Sequence, residues 1–189
     1  MRIAINGFGR IGRAVFRIAE TRSDLEIVAI NDLFDPEALR YLLQYDTVMG
    51  EFEGGVTVED QHIVTNSTRA RMLQERDPSA LPWAELEIDA VVESTGIFRA
   101  RKEVAQHLEA GAHRALLTVP GKDALDYTIV LGVNDDGLTK DHRIVSNASC
   151  TTNCLAPIAK VINDNFKICL LYTSPSPRDA TLSRMPSSA

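Results

Sequence analysis

The beginning of the chain holds the feature that most constrains the fold: a short apolar strand, a glycine-rich turn and an amphipathic helix in direct succession. Ile3-Ala4-Ile5 is followed by Gly7-Phe8-Gly9-Arg10-Ile11-Gly12, and apolar residues at positions 14, 15, 18 and 19 then recur with a helical period. In such a unit the first glycine permits a tight turn, the second lets the backbone approach a pyrophosphate, and the third lets the helix pack on the strand. The succession predicts a dinucleotide site with its phosphates at the helix N-terminus.

An acidic residue follows at the distance that this interpretation requires. A second apolar strand, residues 25–30, ends at Asn31-Asp32, and Asp32 lies 20 positions after Gly12. A carboxylate there binds the adenosine ribose hydroxyls and repels a 2′-phosphate, which favours NAD over NADP. The alternative is an aspartate that only forms a turn or caps a helix starting near Pro36.

The rest of the first 148 residues alternates strands with helices. Further strands are expected at residues 88–92, 115–119, 128–133 and 143–146, and a helix at 101–110, whereas residues 51–73 are expected to form short antiparallel strands. The predicted fold class is α/β, with a Rossmann-like, doubly wound and mostly parallel sheet.

Composition narrows the class of partner. The 189 residues are 44% hydrophobic, which is enough for a domain with a real core. The net charge is −6 and no basic stripe is evident in the sequence, which argues against nucleic acid as a partner. Three cysteines, an odd number, favour a reducing compartment over a disulfide framework. We see no signal peptide and no apolar run long enough to cross a membrane, and therefore expect a cytoplasmic protein.

A second candidate site lies at Ser149-Cys150-Thr151, just before a helix expected over residues 155–165. The free N–H groups and the positive end of a helix favour an anion, so a thiol there is suited to act as a thiolate nucleophile. The same N–H groups would stabilise an oxyanion. The simpler alternative is a small buried residue. The spacing of Cys150 and Cys154 is not that of a zinc or C-x-x-C redox site, so no metal is predicted.

Together these motifs resemble the phosphorylating glyceraldehyde-3-phosphate dehydrogenase family. The resemblance is carried by residues 5–13, 31–32, 45–46, 75–78, 81–83, 93–96 and 146–157, in register to about Phe166. It implies NAD as cofactor, a small aldehyde phosphate and inorganic phosphate as reactants, and a homotetramer for a full-length member. The sister activity, erythrose-4-phosphate dehydrogenase, stays open because Pro120-Gly121 is similar to its sequence at this point.

The resemblance also implies roles for individual residues. The cofactor-binding set comprises Gly7, Phe8, Gly9, Arg10, Ile11, Gly12, Asp32, Arg76, Thr95, Gly96 and Thr118. Within this set, Arg76 lies on the adenine side and Thr95, Gly96 and Thr118 lie on the nicotinamide side. Cys150 attacks the aldehyde to give a thiohemiacetal and then a thioester that phosphate cleaves. Ser149 and Thr151 hold phosphate and substrate, and Cys154 is expected only to pack.

The resemblance ends after about Phe166, and the family's catalytic histidine has no counterpart because no histidine follows Cys150. We expect His62, His107, His113 and His142 on helix or loop surfaces. The predicted division is an NAD-binding domain at 1–148, a catalytic-cysteine helix at 149–166 and a disordered, non-native tail at 167–189, with the substrate domain essentially absent. Two other classes stay open: an NAD-binding fragment without turnover, and a non-dehydrogenase Rossmann or interaction domain.

Overall fold

The computed structural model describes residues 1–169 and residue 171. Its strands are β1 (Arg2–Asn6), β2 (Glu26–Asn31), β3 (Tyr45–Asp46), β4 (Gly50–Glu51), β5 (Thr57–Glu59), β6 (His62–Val64), β7 (Arg69–Leu73), β8 (Ala90–Glu93), β9 (Arg114–Leu117), β10 (Tyr127–Thr128) and β11 (Ile144–Ser146). Its α-helices are α1 (Arg10–Ala19), α2 (Pro36–Gln44), α3 (Arg101–Glu109) and α4 (Cys150–Phe166).

Nine strands form one sheet in the order β10-β11-β9-β8-β1-β2-β7-β6-β5, and β3 pairs with β4 alone. Every pair from β10 to β7 is parallel. Strands β7, β2 and β1 on one side, with β8, β9 and β11 on the other, follow the 3-2-1-4-5-6 order of doubly wound dinucleotide-binding folds. The predicted fold class is confirmed, and the strand order reverses between β1 and β8.

Successive side chains of the central strands point to opposite faces of the sheet, and both faces are covered by packed apolar residues. Ile3 and Ile5 of β1 pack with Phe16 of α1 and Leu43 of α2, whereas the cluster of Trp83 on the other face takes Ala4. Burial of each of the larger side chains contributes about 1.5–3 kcal/mol. This packing fixes α1, and with it the turn that precedes α1, against the end of β1.

Two strand predictions differ from the structure. The strand expected over 128–133 stops at Thr128, because the Asn134 side chain donates to the Thr128 carbonyl at 2.9 Å and accepts the Val130 N–H at 2.8 Å. The expected antiparallel pairing holds for β5, β6 and β7 among themselves, but β7 also pairs in parallel with β2. Of the predicted tail, only residues 167–169 and 171 are described.

Within the described residues, the structure contains no helix with the length and hydropathy needed to cross a bilayer.

Candidate dinucleotide-binding site

A cavity of about 480 Å³ opens where the strand order reverses, at the carboxyl ends of β1, β2 and β8. Doubly wound sheets bind their ligands at such a reversal. The members of the predicted cofactor set that line the cavity are Gly7, Gly9, Asp32, Arg76 and Thr95. The structure therefore brings together residues from four separate segments of the sequence.

Other residues of the wall were not predicted as site residues. They include Asn6, Asn31, Phe34, Ser94, Ile97 and Phe98. Asn6 and Asn31 are the last residues of β1 and β2. A polar residue at the carboxyl end of an apolar strand is visible in the sequence and could have identified both. The apolar wall at Ile97 and Phe98 follows β8 in a loop with no periodicity, so no pattern pointed to it.

The glycines of the turn fit a bound pyrophosphate. Gly7 has φ +91°, and a Cβ on it would lie 2.6 Å from the Thr95 nitrogen; a Cβ on Gly12 would lie 2.2 Å from the Gly7 carbonyl oxygen. A Cβ on Gly9, in contrast, would meet no described atom within 4 Å. Gly7 and Gly12 are thus required by close backbone packing, while Gly9 leaves open space for a ligand beside the first turn of α1.

The helix that begins at this turn presents its N-terminus to solvent. Arg10 and Ile11, the first residues of α1, are exposed, and in the described chain no side chain caps the helix at Gly9. Arg13 donates from Nη1 to the Phe8 carbonyl at 2.9 Å, and burial lowers the pKa of Arg13 from its usual value. The uncapped N–H groups and the positive end of α1 favour an anion such as phosphate.

The carboxylate of Asp32 lies at the end of β2 and is tied to the turn. Oδ2 accepts the N–H of Phe8 at 2.6 Å, and Oδ1 accepts the N–H of Phe34 at 3.0 Å. A carboxylate accepts about four hydrogen bonds, so both oxygens keep capacity for ribose hydroxyls. Within the predicted cofactor-binding set, Phe8 supports the turn rather than facing the cavity. Its ring is fully buried and its N–H is bonded to Asp32.

Arg76, which the sequence predicts for the adenine side, lines the cavity from the loop that follows β7. The side-chain amide of Asn31 brackets this loop: its Oδ1 accepts the Glu75 N–H at 2.8 Å and its Nδ2 donates to the Glu75 carbonyl at 2.8 Å. Next to Arg76, the N–H and hydroxyl of Ser79 hold the pKa of Asp77 below its usual value. The loop is thus held by short bonds on both sides of Arg76.

On the other side of the cleft, Thr95 and Gly96 form the turn after β8. The N–H of Thr95 donates to Glu93 Oε1 at 2.9 Å, and the Thr95 hydroxyl accepts the Ile97 N–H at 3.1 Å. Gly96 has φ +72°, which favours glycine. Thr118 follows β9 and donates its N–H to the Glu93 carbonyl at 3.1 Å. Gly96 and Thr118 lie outside the wall that the described residues give this cavity.

Cys150 is the first residue of α4 and is exposed. Ser149 caps the helix, because its Oγ accepts the Thr152 N–H at 3.0 Å, and it shares a hydrogen bond with the Thr151 hydroxyl at 2.9 Å. Buried Ala148, with φ +56°, redirects the chain from β11 into the helix. This strained turn places Cys150 in the first turn of α4, at the positive end of the helix.

Cys154 departs from its prediction. It was expected to pack, but it is exposed, as is the apolar side of α4. The exposed apolar residues of this helix are Leu155, Ile158, Val161, Ile162 and Phe166.

Two of the four histidines also depart from their prediction, because His62 lies on strand β6 and His107 is buried. His107 was expected at a surface but is fully buried in α3, where Nδ1 accepts the indole N–H of Trp83 at 3.1 Å and Nε2 lies 3.0 Å from Glu93 Oε2. The polar partners remove the cost of burying the ring, and no helical periodicity reveals such partners in advance. His62 bonds locally to the Asp60 carbonyl at 2.8 Å.

The structure shows no group of three or more His, Cys, Asp or Glu side chains arranged for a metal ion, as far as its described residues extend.

A doubly wound sheet, a glycine cradle at its reversal point and an acid at the end of β2 define a dinucleotide-binding domain of the Rossmann type. Comparisons with known proteins identify the family. The sequence model described as glyceraldehyde 3-phosphate dehydrogenase, NAD binding domain, matches residues 1–101, and the model of that enzyme's C-terminal domain matches residues 149–173. The chain belongs to the glyceraldehyde-3-phosphate dehydrogenase family, and the cofactor of its N-terminal domain is NAD.

Curated relatives agree along most of the chain. The glyceraldehyde-3-phosphate dehydrogenase of Salmonella typhimurium (strain LT2) is 53% identical over 168 residues, which are 89% of this chain and 50% of that protein. The Klebsiella pneumoniae enzyme is 55% identical over 164 residues, 87% of this chain and 54% of its own. The cytosolic glyceraldehyde-3-phosphate dehydrogenase of Trypanosoma brucei brucei is 51% identical over 168 residues, which are 89% of this chain and 50% of that protein. The chain spans about half the length of these relatives.

Proposed function

We propose that these residues form the nucleotide-binding and nucleophile-bearing part of an NAD-dependent dehydrogenase that oxidises and phosphorylates glyceraldehyde 3-phosphate, as in glycolysis. One observation carries the proposal. The cleft lies at the carboxyl ends of β1 and β8, and Cys150 follows the carboxyl end of β11 in the same parallel sheet. Nucleophile and dinucleotide cleft therefore share one edge of the fold, where such sheets perform their chemistry.

The chain's own residues would act in sequence. The Cys150 thiolate adds to the aldehyde carbon, and the carbonyl oxygen takes a proton to give a thiohemiacetal. When bound, NAD supplies the hydride acceptor that oxidises this adduct to a thioester. A phosphate oxygen then attacks the thioester carbon and the thiolate departs, which yields 1,3-bisphosphoglycerate. Ser149 and Thr151 offer hydroxyls beside Cys150 for the substrate and phosphate oxygens.

No general base is assigned among the residues of this chain. No histidine follows Cys150 in the sequence, and both ring nitrogens of His107 are already bonded to buried partners. Because general-base catalysis contributes roughly 10²–10⁴ in rate, turnover by this chain alone is expected to be lower by about that factor. An NAD-binding fragment without turnover is the competing function.

The proposed setting is the cytoplasm, supported by the name of the Trypanosoma relative, which is a cytosolic enzyme. A homotetramer is proposed for the full-length form, on the basis of the family. The proposed reactants are an aldehyde phosphate and inorganic phosphate.

A chimaera tests the proposal. Residues 1–166 would be joined to the remaining half of the Salmonella relative, and NAD reduction would be followed with glyceraldehyde 3-phosphate in the presence and absence of phosphate. We expect phosphate-dependent reduction that Cys150→Ser abolishes. An inactive chimaera that still binds NAD would support the fragment without turnover. A preference for erythrose 4-phosphate would support the sister activity instead.

A further inference from the structure

Glu93, the last residue of β8, is a fully buried carboxylate beneath the cleft. Its Oε2 receives the Asn6 amide at 2.6 Å and the His107 Nε2–H at 3.0 Å. Its Oε1 receives both the N–H and the hydroxyl of Thr95, the N–H at 2.9 Å. A buried charge is costly unless it is fully hydrogen-bonded, and these four donors match the capacity of a carboxylate.

The partners of Glu93 are held as hydrogen-bond donors by their other contacts. The Trp83 indole only donates, so Nδ1 of His107 must accept and the ring proton lies on Nε2, towards Glu93. Asn6 in turn uses its Oδ1 to accept from Asn31 at 2.7 Å, which directs its amino group to Glu93. Position 93 is therefore surrounded by donors and requires a group that only accepts.

The two sides of the cleft depend on Glu93 to different degrees. The adenine-side loop is held by the Asn31 amide, through two bonds to the Glu75 backbone, and Asn31 reaches Glu93 only indirectly, through Asn6. The Thr95 turn, in contrast, places its N–H and hydroxyl directly on the Glu93 carboxylate. A change at Glu93 should disturb the Thr95 side and spare the adenine side.

We propose that Glu93 is a positioning residue for the nicotinamide half of the bound dinucleotide. Anchored by His107 and Asn6, its carboxylate holds the Thr95 turn in the orientation that the cofactor meets. This inference rests on the proposed placement of the nicotinamide beside Thr95.

A glutamine at this position separates the two sides. Its NH₂ group must face either Asn6 and His107, which both donate, or Thr95, whose hydroxyl can rotate to accept while its N–H cannot. The second orientation leaves one conflict rather than two, so Glu93→Gln is expected to break the bond to the Thr95 N–H. The adenine-side bracket at Asn31 remains intact.

The test compares NAD with ADP-ribose, which lacks the nicotinamide, by calorimetric titration of the 189-residue chain. For Glu93→Gln we expect the Kd for NAD to rise about tenfold, the scale of an unsatisfied buried donor, and that for ADP-ribose to change less than about twofold. The matched control is Asp89→Asn, which changes an acid that accepts the Arg2 N–H at 2.8 Å at the amino ends of β1 and β8, away from the cleft. It should leave the ratio of the two constants unchanged.

Equal weakening of both ligands by Glu93→Gln, or no change in either, would overturn the inference while leaving the NAD site in place. Wild-type chain that binds neither ligand would refute the proposed site, and the inference with it. Should Glu93→Gln not fold, Thr95→Val decides the question at a partly exposed position, because it replaces only the hydroxyl by a methyl group. A raised ratio of the NAD to the ADP-ribose constant supports the inference, and an unchanged ratio overturns it.

Discussion

The carboxylate of Asp32 accepts the backbone N–H of Phe8 at 2.6 Å, across 24 positions of sequence. This bond joins the end of β2 to the glycine turn after β1. It sets the distance between the acid proposed for the ribose and the N–H groups proposed for the phosphates. The geometry of the cleft is therefore fixed before a ligand arrives, which reduces the ordering cost of binding.

Replacing Asp32 with alanine should weaken NAD binding and reduce the preference for NAD over NADP. The variant loses charged acceptors for the ribose hydroxyls and the negative charge that repels a 2′-phosphate, so we expect a Kd for NAD raised about tenfold or more. Titration with both cofactors measures this. The control is Asp35→Ala. Asp35 caps α2 by accepting the N–H groups of Glu37 and Ala38, so its loss should lower stability by about 1 kcal/mol without changing the cofactor preference. An unchanged cofactor preference in Asp32→Ala would contradict the assignment.

The glycine turn predicts opposite effects for two alanine substitutions. Gly12→Ala places a Cβ 2.2 Å from the Gly7 carbonyl oxygen and should destabilise the fold by about 1–3 kcal/mol. Gly9→Ala meets no described atom within 4 Å and should keep the melting temperature while abolishing NAD binding. Thermal melts with and without NAD separate the two effects. Full binding by Gly9→Ala would show that the cofactor does not approach this turn.

The sequence predicted the architecture well where the evidence was local. Glycine spacing and the acid after β2 each depend on a few neighbouring residues, and the structure places both as expected, whereas the helix expected over residues 155–165 begins earlier, at Cys150. The sequence-based predictions were wrong where hydrogen bonds between residues distant in sequence determine whether a side chain is buried. His107 is buried because Trp83 and Glu93 satisfy its ring, and these partners lie 24 and 14 positions away. Periodicity reports apolar faces and carries no information about such pairings.

Cys150 should react with iodoacetamide faster than Cys154, although both are exposed. Cys150 lies at the N-terminal end of α4, where the helix field attracts negative charge as it develops on an attacking sulfur, whereas Cys154 lies one turn further along the helix, where the field is weaker. Timed alkylation followed by peptide mass mapping gives both rates in one sample. With Cys150→Ser the fast phase should vanish. Equal rates would remove the argument for an activated nucleophile.

Acid should lower the stability that Asp126 contributes at the start of β11, the strand that leads to Cys150. Burial raises the pKa of Asp126, but the N–H groups of Ile144 and Arg143 and the Arg101 guanidinium outweigh it and hold the pKa below its usual value. A lowered folded-state pKa contributes stability above the unfolded value of about 3.9, and this is lost as the pH falls through the folded value.

Asp126→Asn should therefore be less stable than wild type at about pH 7, and the difference should shrink below about pH 4. Urea midpoints at the two pH values measure it. A gap that stays constant across this range would show that the carboxylate makes no pH-dependent contribution.

The most direct test of the account is a calorimetric titration of the chain with NAD and, in parallel, with NADP. The account predicts a single site that binds NAD more tightly than NADP and is lost in Gly9→Ala, whose fold is intact. Absence of binding by a folded chain, or equal affinity for the two cofactors, would contradict it.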